Sequence, residues 1–398
     1  MPVWHERTKT LTEQGKLLLV SVVPEQHGER TRLFMQWKQM SWPTLVDPLN
    51  LLGVPLVPIS LALDENGVIR LVQPMLGPLD DLLEFVATKF EPPRESGEAP
   101  APAAAELGAA GGDAALWRSR GDRLVRAGDE KSLGRAIEAY ERALSLDGED
   151  PVLWFRLGVA HRMRYDSKAR RPEDFQRAVG AWSRSLALDP NDYIVRRRLQ
   201  QYGPRLDKPY PFYEWVHVAR EEIAARGETP LPLKVEPAGS ELAGKLRTFP
   251  RTEEPPVSPD PDGRITRDDK KLIVIESTVV PWPAEPGGPL RVHLVLRPSV
   301  ARDAHWNNEV GPLRVWLDPP DGWSIDSRLI EVRPGEGATS VEIRRVETEL
   351  QAPEAGAREP ASLRGFALYY VCEGVQGRCL YRRQDVVVPL TSRATRED

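Results

Sequence analysis

Residues 54–71 read VPLVPISLALDENGVIRL and decide the fold of the N-terminal part of the chain. The apolar run 59–63 is typical of a β-strand, and the run 68–71 is its returning partner. Between them, Asn66-Gly67 favours a hairpin turn, because this pair readily adopts positive φ angles. The segment therefore predicts a β-hairpin that begins just after Val57-Pro58.

The sequence around this hairpin predicts a small α/β domain in residues 1–90. The apolar run 17–23 (LLLVSVV) is typical of a strand buried on both faces of a parallel sheet. Predicted helices occupy 3–14, 28–40, 48–52 and 78–89. The order of the main elements is therefore α-β-α-β-β-α.

This order resembles the thioredoxin-like redoxins of the TlpA and peroxiredoxin type, from their first helix onward. The matching residues are Met1-Pro2, Pro43-x-Leu45-x-Asp47, Val57-Pro58 and Asp64-x-x-Gly67-x-Ile69. The resemblance implies a cis bond before Pro58, at the place where the family holds its redox cysteines. The family's CxxC has no counterpart here, because the two cysteines of the chain are Cys372 and Cys379.

Two explanations of the missing CxxC stay open. The domain is either a degenerate redoxin that only binds, or the true start lies upstream of Met1 and an earlier strand carries the CxxC. A parallel sheet without its central strand leaves backbone groups unpaired, which is costly when they are buried. This cost gives the second explanation the same weight as the first.

Residues 113–228 predict helical repeats that follow a flexible Pro/Ala/Gly/Glu linker at 91–112. Two related helical pairs end in Leu-Asp, and both place small residues opposite large aromatic ones. This pattern resembles the tetratricopeptide repeat, with residues 192–225 as the cap. Such arrays usually present a concave surface to a peptide. The peptide-binding candidates are Trp117, Tyr140, Trp154, His161 and Trp182, of which His161 also occupies a packing position.

Residues 269–392 predict an all-β domain after a proline-rich linker at 229–268. About seven apolar or alternating runs, separated by turn residues, are typical of a β-sandwich. Its last hairpin, 366–390, reads FALYYVCEGVQGRCLYRRQDVVVPL. Hairpin geometry places Cys372 across from Cys379, close enough for the sulfurs to bond.

This cysteine arrangement resembles the immunoglobulin-like domain of the transmembrane thiol:disulfide interchange reductases. It is also similar to the C-terminal β-domain of thioredoxin–NHL-repeat proteins. The resemblance implies a reversible dithiol that exchanges with a thioredoxin-type partner, with Arg378, Arg382 and Arg383 favouring the thiolate. A structural disulfide and two idle thiols remain alternatives.

The composition argues against several classes of partner. The net charge of −5 and the pI near 5.9 do not favour nucleic acid or an anionic membrane. No apolar stretch approaches the ~18 residues of a membrane span, and the N-terminus has no signal-peptide core. We therefore expect a cytoplasmic protein.

No familiar catalytic or cofactor motif is present in the sequence. It contains no phosphate-binding GxxxxGK[ST], no GxGxxG after a strand and no GxSxG elbow, and no histidine or cysteine pair completes a metal site. Glu25 and His27 follow the first strand at an edge where α/β proteins bind ligands, but a solvated loop histidine is favoured. The basic run Arg196-Arg197-Arg198 lies on a predicted helix, with Arg170-Arg171 nearby, and we expect these arginines to form a solvated face.

The leading hypothesis is a multidomain adaptor: a vestigial thioredoxin-like domain joined to peptide-binding repeats and a β-sandwich. It needs no cofactor. One rival is a thiol–disulfide oxidoreductase or peroxiredoxin-like enzyme, whose CxxC lies upstream and whose Cys372/Cys379 pair is a second redox centre. The other rival is a purely structural interaction protein.

Overall fold

The computed structural model describes residues 2–55, 57–72, 79–92, 113–204, 215–235, 256–281, 287–354, 361–374 and 378–390. These residues form both helices and β-sheets, so the chain is a mixed α and β protein. It divides into two compact units. The first comprises Met1–Met163, Ser185–Arg198 and Pro211–Val235, and the second comprises Arg164–Arg184, Leu199–Tyr210 and Glu236–Asp398. Residues 93–112 and 236–255 of the predicted linkers lie outside the described residues.

The first unit begins with short helices and strands. These are α1 (Pro2–Glu13), β1 (Ser21–Val23), α2 (Gly28–Trp37), β2 (Thr44–Val46), β3 (Leu61–Leu63), β4 (Ile69–Val72) and α3 (Leu79–Ala87). Strands β1 and β2 pair in parallel, and β3 and β4 form the predicted antiparallel hairpin. The carboxylate of Asp64 fixes its turn, because Oδ1 accepts the backbone N–H groups of Asn66 (2.8 Å) and Val68 (2.9 Å).

Two predictions for this region are wrong. Residues 48–52 form turns rather than a short helix, because Asn50 has φ +50° and its side chain bonds the backbone of Val54. The run 17–23 is not buried on both faces. Leu18 and Val20 are 73% and 46% exposed, so among the described residues no second layer covers that face.

The helices that follow are α4 (Ala114–Ala127), α5 (Glu130–Leu144), α6 (Pro151–Tyr165), α7 (Asp174–Leu188), α8 (Tyr193–Gln200) and α9 (Trp215–Ala225). Asp113 and Asp129 cap α4 and α5 by accepting backbone N–H bonds. The two helices cross where Gly121 meets the ring of Tyr140. A Cβ at Gly121 would lie 2.4 Å from Cε1 of that ring, so only glycine allows this close approach.

Helix α9 returns to the N-terminal elements within the first unit. Its residues Val216, Ala219 and Ile223 form a buried apolar cluster with Leu33 of α2. Next to this cluster, the rings of Trp37 and Trp215 stack with centroids 6.0 Å apart. The last helix thus closes the α2 side of the first unit.

The second unit contains two antiparallel sheets. Its strands are β5 (Ile273–Val280), β6 (Pro289–Pro298), β7 (Ala304–Asn307), β8 (Leu313–Asp318), β9 (Ser324–Ile325), β10 (Leu329–Val332), β11 (Thr339–Ser340), β12 (Arg344–Gln351), β13 (Ser362–Glu373) and β14 (Cys379–Pro389). One sheet has the order β5-β6-β12-β9, and the other has the order β10-β8-β13-β7-β11 with β14 beside β13. Both sheets contribute to one apolar core, which includes Leu294, Trp306 and Tyr369.

Helix α7 and the loop that precedes it bind directly to the four-stranded sheet of the second unit. Oε1 of Gln176 accepts the N–H of Val279 (2.9 Å). Nε of Arg170 donates to the buried carboxylate of Glu276 (3.1 Å), and the same guanidinium lies over the ring of Tyr165. Arg170 therefore anchors the loop between α6 and α7 to the sheet and is not the solvated residue predicted from the sequence. No helix among the described residues has the length and apolarity needed to cross a membrane.

Candidate thiol–disulfide site

The β13–β14 hairpin brings the two cysteines of the chain together. The two strands pair from Ser362↔Pro389 to Cys372↔Cys379, with one residue of β13 opposite one residue of β14 throughout. Cys372 and Cys379 form a disulfide with an S–S distance of 2.05 Å. The loop between them includes residues 375–377, which lie outside the described residues.

The two cysteines differ in exposure. Cys372 is only 4% exposed, whereas Cys379 is exposed. Their side chains do not point into the shared core, because Val371 next to Cys372 belongs to that core and neighbouring residues of a strand alternate between faces. A reactant from solution therefore reaches Cys379 more readily than Cys372.

Strand β7 supplies a polar neighbour on the other side of Cys372. His305 lies in register opposite Cys372. Its Nε2 is 3.7 Å from Oδ1 of Asp303, and the backbone carbonyl of Asp303 accepts the N–H of Gly374 at 2.9 Å. The end of the hairpin thus carries a disulfide, an imidazole and a carboxylate.

Aromatic side chains flank the disulfide along the hairpin. Tyr370 and Tyr381 lie two residues before Cys372 and two after Cys379, and their rings stack with centroids 4.4 Å apart. Burial is the largest cause that raises the pKa of Tyr381, and the neighbouring Tyr370 adds to it. These rings give the face beside the disulfide an apolar surface.

The predicted arginine cluster is only partly present at the sulfurs. Arg383 is engaged elsewhere, because it donates to Asp260 (2.8 Å) and Asp385 (2.9 Å) and lies over the ring of Phe366. Nη1 of Arg382 donates to the carbonyl of Tyr381. Arg378 directly precedes Cys379 and is exposed.

The remaining predicted positions of the N-terminal region lie in the first unit. The Val57–Pro58 bond is cis. His27 is 3% exposed and is not a solvated loop histidine. Burial lowers its pKa well below the ordinary value, and the charges of Arg162, Arg198, Lys234 and Arg30 lower it further.

Arg198 is also buried, contrary to the solvated face predicted for it. It is 2% exposed and donates to the carbonyl oxygens of Pro24 (3.0 Å) and Pro48 (3.1 Å). It also hydrogen-bonds the side chain of Gln26. Its guanidinium fixes the loops that follow β1 and β2, so its role there is structural.

Three of the five peptide-binding candidates have no surface to offer a peptide. Tyr140, Trp182 and His161 are at most 2% exposed. Trp117 and Trp154 are half-buried. Trp154 donates to the carbonyl of Gly148 (2.9 Å).

A groove lies beside Trp117 on the surface of helices α4 and α5. It is lined by residues of α4 and α5, namely Trp117, Arg120, Arg135, Glu138, Ala139 and Arg142. The guanidinium of Arg120 lies 5.1 Å from the centre of the indole ring. Nε1 of Trp117 is buried and has no hydrogen-bond partner in the described part of the chain.

The described residues contain no group of three or more His, Cys, Asp or Glu side chains that could hold a metal ion. The functional neighbour that the sequence did not single out as such is His305. Its pairing with Cys372 depends on a strand register that joins distant segments of the chain, so no local sequence signal could have revealed it.

Comparisons with known proteins add little. No protein-family model matches the chain, and no curated protein matches its sequence. One similar solved structure is described as "Crystal structure of yeast GGA1_GAE domain-P21". It shares 11% identity, with 29% of this chain and 91% of that chain covered and a TM-score of 0.18. A likeness this distant carries no argument about fold or function.

Proposed function

We propose that this chain is a protein-binding adaptor that exchanges disulfides with a thioredoxin-type partner through Cys372 and Cys379. The observation that carries the proposal is the asymmetric disulfide at the end of the β13–β14 hairpin. Its exposed member, Cys379, is open to an incoming thiolate, and its buried member, Cys372, is then the leaving group.

The proposed domain organisation keeps the three predicted parts. A thioredoxin-like domain without a CxxC, at 1–90, is supported by the parallel β1–β2 pair, the β3–β4 hairpin and the cis bond before Pro58. Tetratricopeptide-like repeats at 113–228 are supported by the close crossing of α4 and α5. An immunoglobulin-like β-sandwich at 269–392 is supported by two antiparallel sheets that share one core.

The adaptor role rests on the helical part. Because Tyr140, His161 and Trp182 are buried, the surface proposed for binding is reduced to Trp117 and Trp154 and to the basic groove beside Trp117. Guanidinium groups next to an indole suit a peptide that combines carboxylates with an apolar side chain. The partner proposed for this surface is therefore an acidic peptide segment.

The proposed disulfide exchange predicts that the Cys372–Cys379 bond can be reduced while the chain stays folded. The experiment is to equilibrate the full chain with reduced and oxidised dithiothreitol in graded ratios, block free thiols by alkylation, and count the blocked cysteines by mass spectrometry. We expect a reversible change of two thiols while the circular dichroism of the folded chain stays constant. A disulfide that opens only when the chain unfolds would contradict the proposal and leave a structural cross-link.

A further inference from the structure

We propose that an incoming thiolate attacks the sulfur of Cys379 and that His305 protonates the sulfur of Cys372 as it leaves. This inference rests on the proposed exchange function. It adds to that function the direction of attack and a proton donor on a neighbouring strand.

The first step of the argument is the backbone pattern around Cys372. The N–H of Glu373 donates to the carbonyl of Arg378 at 3.4 Å, so Cys372 and Cys379 form a pair without mutual backbone hydrogen bonds. Successive residues of a strand direct their N–H groups to opposite sides. The backbone of Cys372 therefore points toward β7, where His305 lies in register.

The second step is the arrangement of the three side chains. Cys379, Cys372 and His305 occupy one row across β14, β13 and β7, and residues directly opposite on neighbouring strands present their side chains to the same face. Cβ atoms of such directly opposite residues lie about 5 Å apart. A Cys372 thiolate released from the disulfide can thus turn from Cys379 toward the imidazole.

The third step is the charge around His305. Its side chain is 23% exposed, and the carboxylate of Asp303 at 3.7 Å attracts the protonated ring. Asp303 is itself held in place by the bond from Gly374 to its carbonyl. The other charged groups at this end of the hairpin are Lys270, which binds the carboxylate of Glu373 at 2.7 Å, and the exposed Arg378.

The exchange can be written with its atoms and electrons balanced. A thiolate of a reduced dithiol partner attacks Sγ of Cys379, the Cys372–Cys379 bond breaks, and its electron pair stays on Sγ of Cys372. The imidazolium of His305 gives its proton to that sulfur. The second thiol of the partner then loses its proton to solvent and attacks the partner's own sulfur in the mixed disulfide. Sγ of Cys379 leaves as a thiolate and takes a proton from solvent, so the partner is oxidised and both cysteines of this chain are reduced.

The test measures how fast dithiothreitol reduces the oxidised full chain between pH 5.5 and 8, by acid quench, alkylation and mass spectrometry. We expect His305→Gln to slow reduction by about tenfold to a hundredfold at pH 6, because glutamine cannot donate a proton to the leaving sulfur as an acid. His305→Lys should not restore the rate at pH 6, because a lysine ammonium is a weaker acid than a cysteine thiol; a restored rate would mean that a positive charge alone is sufficient and would contradict proton donation. The matched control is His217→Gln, since His217 is 78% exposed on α9.

The outcomes separate the two proposals. Equal rates for the wild-type chain and His305→Gln at pH 6 would overturn the role of His305 and leave the exchange function intact. A disulfide that resists dithiothreitol in every folded variant would overturn the exchange function itself. If His305→Gln does not fold, Asp303→Asn replaces it. We expect slower reduction at pH 6 for that variant, and an unchanged rate would count against the role of His305.

Discussion

Strands β1 to β4 of the first unit and strands β5 to β14 of the second unit have similar apolar sequences but differ in burial. Leu18, three residues before β1, is 73% exposed, and Val72, the last residue of β4, is 67% exposed. Leu294 on β6 and Leu317 on β8 are almost completely buried, because two sheets face each other across one core. An apolar run therefore predicts a strand, but only the presence of a second layer decides whether the strand is buried.

The largest expected effect compares one leucine from each region. Leu294→Ala removes a side chain that is 1% exposed and leaves a cavity, so we expect the free energy of unfolding to fall by about 2–5 kcal/mol. Leu61→Ala, at a leucine that is 47% exposed, should change it by less than about 1 kcal/mol. Urea unfolding followed by circular dichroism measures both. Equal decreases in the free energy of unfolding for the two variants would mean that Leu61 is as well packed as Leu294.

A second comparison tests whether helices α4 and α5 of the first unit pack as tightly as the sheets of the second unit. Gly121→Ala places a Cβ against the ring of Tyr140 and should destabilise the chain by about 1–3 kcal/mol. Gly134→Ala on α5 is the matched control, because a Cβ there meets nothing within 4 Å. We expect the free energy of unfolding of the control to rise by about 0.5–1 kcal/mol, because alanine has a better helix propensity than glycine. Thermal unfolding of the two variants decides between these signs.

The smallest expected effect concerns the carboxylate of Asp260, which lies in a loop of the second unit. Burial alone would raise the pKa of Asp260, but the hydrogen bonds from Arg383 and from the backbone of Arg264 and Ile265 outweigh it and hold that pKa below its ordinary value. A lowered pKa stabilises the fold at pH values above the unfolded-state pKa, and this stability is lost as the pH falls through the folded-state pKa.

Asp260→Asn should therefore lower the urea midpoint at pH 7, and the gap to the wild-type chain should close as the pH falls below about 4. Asp262→Asn is the control, because the ion pair of Asp262 with Arg264 is largely exposed. A midpoint difference for Asp260→Asn that stays constant down to pH 3 would show that the carboxylate charge has no part in the effect.

The sequence predicted those features that depend on neighbouring residues. Asn66-Gly67 marked the turn of the β3–β4 hairpin, and the spacing of Cys372 and Cys379 placed the sulfurs opposite each other, because a hairpin register follows from its loop. The sequence also predicts small residues opposite large aromatic ones in these helices, and Gly121 and Tyr140 meet in that way.

The features that escaped prediction depend on segments far apart in the chain. Arg198 and Arg170 read as solvated arginines, but Arg198 holds the carbonyls of Pro24 and Pro48, and Arg170 holds Glu276, which lies 106 residues away. His27 is buried for the same reason, and His305 reaches Cys372 only through the pairing of β7 with β13. A periodic pattern shows which face of an element is apolar, but it does not show which distant side chain will meet that face.

The contrast between the regions also separates their chemistry, since both cysteines lie in the second unit and none lies in residues 1–90. The most direct measurement uses a thioredoxin-type protein whose second active-site cysteine is replaced by serine, so that a mixed disulfide with the oxidised full chain persists. Mass spectrometry of the linked peptides then identifies the attacked sulfur. The account predicts a link to Cys379. Recovery of no linked species, or a link through Cys372, would contradict it.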